Sequence, residues 1–144
     1  MLITAKLNYV CRALIEIAQN NGDNGYVRIN DIARNQKIPK KYLIHILLGL
    51  KKGKIIGSVR GKQGGYYLIR KPESITLKEI FQNSEGGLLF KSSIMDDTSV
   101  HSQVSLNTIW QEFESVINRY TEGVTLQHVL DMINKNNRNY VYNI

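Results

Sequence analysis

Residues 58–70 read SVRGKQGGYYLIR, and this stretch limits the fold more than any other. Arg60, Gly61, Lys62, Gly64 and Gly65 lie between two β-prone runs, one around Ile55, Ile56 and Val59, the other from Tyr66 to Ile69. Glycines beside a lysine suit two tasks, cradling a nucleotide's phosphates or turning a hairpin. Residue order decides between them. A phosphate-binding P-loop needs its lysine and hydroxyl after the last glycine, at the start of a helix. Here Lys62 precedes the glycine pair and strand-like sequence follows. The dinucleotide fingerprint G-x-G-x-x-G is also absent. The segment is therefore expected to be a β-hairpin, with glycine supplying positive φ where the chain reverses.

What precedes the hairpin is helical and basic. Residues 4–20 set Leu7, Val10, Cys11, Leu14, Ile15 and Ala18 at helical spacing, and the run NNGDNG breaks that helix. Tyr26, Val27 and Arg28 suit a short strand, and Asn30 is the expected N-cap of a short helix, DIARNQ. Pro39 then opens KKYLIHILLGLKK, whose Leu43, Ile46, Leu47 and Leu50 form a buried stripe. Lys40, Lys41, Ile44, His45 and Lys51 occupy the other face. Two helices in this order fit a helix-turn-helix as well as an ordinary helical hairpin packed in a core. The hairpin behind them turns the reading to a winged helix-turn-helix. Its second helix enters the major groove, while Arg60 and Lys62 on the wing meet phosphates or the minor groove.

Charge agrees with this division. The net charge is +7 over 144 residues, but residues 1–71 carry 14 Lys or Arg against three acidic residues, and residues 72–144 carry five against nine. A basic half joined to a mildly acidic one points to a polyanion-binding module followed by a part with another task. No apolar run approaches the roughly 20 residues of a membrane span, no secretory leader opens the chain, and the expected compartment is the cytoplasm. Frequent Asn, Lys, Ile and Tyr suggest an AT-rich genome, bacterial or plastid, with the plastid stroma as the corresponding compartment in the second case. No nucleophile–base pair or paired carboxylates stand at a usable spacing, so no enzyme is expected.

After the hairpin, Thr76 and Glu79 form a capping box and Ile75 with Ile80 a hydrophobic staple, starting a helix that should stop near Gly86 and Gly87. Residues 88–103 lack periodicity. Leu106, Ile109, Trp110, Phe113, Val116, Ile117 and Tyr120 then line one side of a long helix. Gly123 ends it, and Thr125 begins a short last helix. The expected division is a winged helix-turn-helix domain over 1–84, a loop over 85–103, the long helix and the short last helix over 104–135, and a tail over 136–144. The fold class is mainly α with a small β-hairpin.

Residues 31–80 resemble the DNA-binding domain of the Rrf2 family of bacterial transcription regulators. Asp31, Ile32 and Ala33, Ile38 and Pro39, Tyr42 and Leu43, Leu47 and Leu50 carry the likeness, above all with SVRG at 58–61 and GGYYLIRKPESITLKEI at 64–80. The similarity extends more weakly over nearly the whole chain. It implies a homodimer on a roughly palindromic double-stranded DNA site, with the Trp110 helix crossing its twin through the seven apolar residues named above. It also implies DNA contacts from Lys40, Lys41, Ile44, His45, Arg60, Lys62, Gly64 and Gly65.

The sequence departs from the family in two places, and its tail is a further oddity. Many relatives hold an iron–sulfur cluster with three cysteines before the long helix, but residues 88–107 here contain none. Asp96, Asp97, His101 and Asn107 are unsuited to a cluster held by thiolates. The only cysteine, Cys11, is expected to be buried and inert, His128 to be a surface or packing residue, and no cofactor or metal is expected. Where relatives often carry a Glu-Gln pair that reads bases, this chain has Ile44 and His45. Ile44 makes only apolar contact, as with a thymine methyl. Finally, YVYNI at the C-terminus resembles the tail of the family's cysteine-metabolism repressors. It either packs on the dimer or docks a partner enzyme such as cysteine synthase.

Overall fold

The computed structural model describes residues 3–20, 24–85 and 99–142. Helix α1 (Ala5–Gln19) begins at Thr4, whose hydroxyl accepts from the Leu7 amide at 3.1 Å. It buries Leu7, Val10, Ala13, Leu14 and Ile17, and packs on the next three helices and the hairpin. Helix α2 (Ile29–Gln36) starts one residue before the expected cap. Arg28 holds the N-cap position, its carbonyl accepting from the Asp31 and Ile32 amides, so Asn30 lies inside the first turn. Lys37 closes α2 at φ 51°, a left-handed conformation that usually falls to glycine or asparagine. Helix α3 (Lys40–Lys52) follows Pro39 and buries the expected stripe of Leu43, Ile46, Leu47 and Leu50.

Strands β1 (Ile56–Val59) and β2 (Gly65–Leu68) form the antiparallel hairpin, with Ile56 opposite Leu68 and Val59 opposite Gly65. Val27 adds an isolated bridge on the other edge of β2: it exchanges both backbone hydrogen bonds with Tyr66, each at 2.8 Å. A 3-10 turn (Pro72–Ser74) leads to α4 (Leu77–Glu85). Its capping box is reciprocal. Thr76 Oγ1 accepts from the Glu79 amide at 3.2 Å, and Glu79 Oε2 accepts from the Thr76 amide at 3.1 Å. Gly86 and Gly87, expected to end α4, lie outside the described residues, as does most of the expected loop.

The C-terminal helices are longer than expected. Helix α5 (His101–Gly123) starts inside the stretch read as a loop, and α6 (Leu126–Tyr142) runs through most of the stretch read as a tail. Neither extension has a buried apolar side to announce it: residues 134–141 are exposed throughout. Leu126 and Leu130 anchor α6 in the core with Ile75 and Ile80, whereas α5 buries only Thr121 among its described side chains. Among the described residues, no helix is long and apolar enough to cross a membrane.

Candidate nucleic-acid interface

Helix α3 is held by one face and open on the other. Its four buried residues are at most 3% exposed, and Lys40, Lys41, Ile44 and His45 all face solvent. Three contacts with α1 fix the helix pair. Tyr42, in the first turn of α3, meets Tyr9 edge to face at 5.6 Å between ring centres. The Arg12 guanidinium lies 5.7 Å from the centre of the Tyr9 ring and also donates to the Gln36 carbonyl. Glu16, only 3% exposed, accepts from the side-chain amides of Asn35 at 2.7 Å, Gln36 at 2.6 Å and Asn20 at 3.0 Å. A buried carboxylate is tolerable when its lone pairs are filled in this way. Sequence reading missed Glu16, although a charged residue inside the apolar stripe of α1 was the available signal.

The hairpin is tied to α3 by Lys51, whose Nζ donates to Ser58 Oγ at 2.8 Å. At its tip, Gly61 adopts φ 114°, and Arg60, Lys62 and Gln63 are exposed beside it. Gly64 and Gly65 have other reasons for being glycine. A Cβ at Gly64 would stand 2.0 Å from the Val59 carbonyl oxygen, and one at Gly65 would stand 2.4 Å from that of Val27. Gly65 is buried beneath the Val27 bridge, so its part is to let two backbones approach. The other expected DNA-contacting residues are all exposed: Lys40, Lys41, Ile44 and His45 on α3, and Arg60 and Lys62 at the hairpin tip. Leu48, 51% exposed on the outer side of α3, was not singled out from sequence.

The apolar stripe of α5 is in solvent. Leu106, Ile109, Trp110, Phe113, Val116 and Tyr120 are each between 44% and 66% exposed, and Ile117 is half-buried. Cys11 is partly covered on α1, and burial pushes its thiol pKa up, away from the thiolate that a metal needs. Among the described residues, no three His, Cys, Asp or Glu side chains gather as a metal site; Asp96 and Asp97 lie outside them. His128, expected at the surface or in packing, is exposed and caps α6. Its Nδ1 lies 3.1 Å from the Thr125 amide and accepts from it.

A basic helix presented by a helical pair, with a two-stranded hairpin beside it, defines a winged helix-turn-helix protein. The family model of Rrf2, described as an iron-dependent transcriptional regulator, matches residues 3–132, and the chain belongs to that family. It is thus a DNA-binding transcriptional regulator and not an enzyme. An rrf2-like HTH-type regulator of Rhodobacter capsulatus is 34% identical over 87 residues, a match spanning 59% of this chain and 58% of that protein. The solved structure of T. potens IscR is 28% identical at a TM-score of 0.71, covering 92% of this chain and 88% of that one. CymR, described as the global cysteine regulator of B. subtilis, has the same fold at a TM-score of 0.76 and 22% identity, covering 92% and 98%.

Proposed function

We propose that the protein is a cytoplasmic, sequence-specific regulator that binds a roughly palindromic operator as a homodimer, without an iron–sulfur cluster of its own. The observation that carries this reading is the outward face of α3. Four buried residues hold the helix while Lys40, Lys41, Ile44 and His45 are exposed, and the hairpin that follows exposes Arg60 and Lys62 at its tip. Lys40, Lys41, Arg60 and Lys62 neutralise phosphates, and Ile44 and His45 meet base edges.

The solvent-facing stripe of α5 supports the dimer. Scattered exposed apolar residues need no explanation, but a continuous row including Trp110 and Phe113 marks a surface meant to be covered. A second copy related by a two-fold axis buries the row against itself and presents two α3 helices to one face of the duplex.

The donor set does not fit a thiolate-held cluster. One cysteine per chain is available, and its burial disfavours the thiolate form. Anaerobic purification should yield a protein without stoichiometric iron, and an iron-loaded, coloured protein would overturn this part of the reading. For DNA binding, Lys41→Ala and Arg60→Ala should each weaken binding to a bound genomic fragment and flatten its salt dependence by about one unit of slope. Unchanged affinity in both variants would remove the DNA reading of this surface. Trp110→Asp should convert a dimer to a monomer in sedimentation.

A further inference from the structure

Lys41, His45, Leu48 and Lys52 follow one another at three- and four-residue steps along the middle of the exposed face of α3. Ile44 lies beside them, one turn before Leu48 and on the same stripe as Lys51, which is bonded to the hairpin. The exposed face is therefore basic at both ends and aliphatic in the middle. Ile44 is 43% exposed and Leu48 51%, although the rest of the helix sorts its large aliphatic residues strictly to the core. Two adjacent branched side chains held in water are unfavourable until something apolar covers them. The cations around them direct that cover toward a polyanion. Within the major groove, the apolar group on offer is the C5 methyl of thymine.

We infer that Ile44 and Leu48 together read thymine methyl groups, Leu48 being a specificity-determining residue beyond those expected from sequence. The inference rests on the DNA-binding reading of α3 given above. Four residues advance a helix by about 6 Å, close to two base-pair steps of about 3.4 Å. The half-site therefore carries two thymines about two base pairs apart, on either strand. Neither side chain carries a donor or acceptor, so the pair discriminates by methyl contact alone.

The test uses the full chain and a duplex selected by it from a random library. Each thymine of the selected half-site is then replaced by deoxyuridine, which removes the methyl and leaves the Watson–Crick pair intact. Two positions about two base pairs apart should lose about three- to fivefold in affinity, the loss expected for one buried carbon each. Ile44→Ala should erase the penalty at one position and Leu48→Ala at the other, with unchanged melting temperatures confirming that both variants fold. Uracil tolerated throughout the half-site would overturn the inference while leaving DNA binding in place. A penalty that persists in Leu48→Ala would remove Leu48 from the reading set. A selection that enriches no sequence would overturn sequence-specific binding and this inference with it.

Discussion

Thr76 and Thr125 face each other across a single antiparallel bridge, with the Leu77 amide donating to the Val124 carbonyl and the Leu126 amide to that of Ile75, both at 2.8 Å. Helices α4 and α6 therefore start from one point, back to back, and each starts with a threonine capping box. In α4 the third position is Glu79; in α6 it is His128, whose Nδ1 lies 2.9 Å from Thr125 Oγ1 as well as accepting from the Thr125 amide. Replacing His128 by alanine leaves that amide without its side-chain acceptor and should lower stability by about 0.5–1 kcal/mol, as loss of a cap does. Histidine→glutamine at this position should recover most of it. Urea midpoints at unchanged m-value provide the measurement.

Glu79 gives the first capping box a pH dependence. Burial lifts its carboxyl pKa, but the Arg70 hydrogen bond, the Thr76 amide and the Arg70 charge outweigh it, and the net shift is downward from 4.5. The Arg70 guanidinium stands 2.8 Å from Glu79 Oε1. With the folded pKa below the unfolded one, the contribution is complete above the ordinary carboxylate range and is lost as pH falls through the depressed value. Between about pH 5 and about pH 3 the urea midpoint of the native protein should fall more steeply than that of Glu79→Gln. Parallel curves would show that the pair adds nothing.

Glu16 is the most exacting polar residue of the core. Glu16→Ala removes the acceptor on which three side-chain amides converge, and Glu16→Gln brings a fourth donor among them. Either change should cost about 2–3 kcal/mol, the range for hydrogen bonds to a charged group. The Asn35 and Gln36 side chains end α2 just ahead of α3, so DNA affinity should fall even at temperatures where both variants stay folded.

Gly65→Ala tests the hairpin's close approach. The added methyl meets the Val27 carbonyl, which is backbone and cannot swing aside, so a loss of about 1–3 kcal/mol is expected from overpacking. Gly61→Ala meets open space and suffers only from its φ of 114°. Faster hydrogen exchange at the Val27 and Tyr66 amides should accompany the first change and be absent in the second.

The legible parts of the sequence were those where burial imposes a period or a cap imposes a residue type. Leu43, Ile46, Leu47 and Leu50 sit where their spacing put them, and Thr76 with Glu79 starts α4 as expected. The first turn of α5 and about the last two turns of α6 were missed because their exposed faces carry no period. The α2 cap was missed because Arg28 holds that position with no side-chain capping hydrogen bond, leaving Asn30 without that task. The His128 cap escaped because histidine is not the residue a capping box advertises. On α3, attention to the buried stripe hid Leu48, which is informative for lying off it. Lys40, Lys41, Ile44, His45, Arg60 and Lys62 are exposed, as their expected outward placement requires, whereas Gly65 is buried.

Helix α1 packs against α2, α3, β2 and α4, the last of which ends at Glu85. On the ribosome, helix α1 is therefore made well before the partners that cover it. Leu7, Val10 and Leu14 have no complete cover, and Glu16 no Asn35 or Gln36, until those later segments have left the exit tunnel. Synthesis must run well past the hairpin before the nascent chain can commit to its native core. A translational pause placed between residues 20 and 76 would extend the interval in which this apolar helix is open to chaperones.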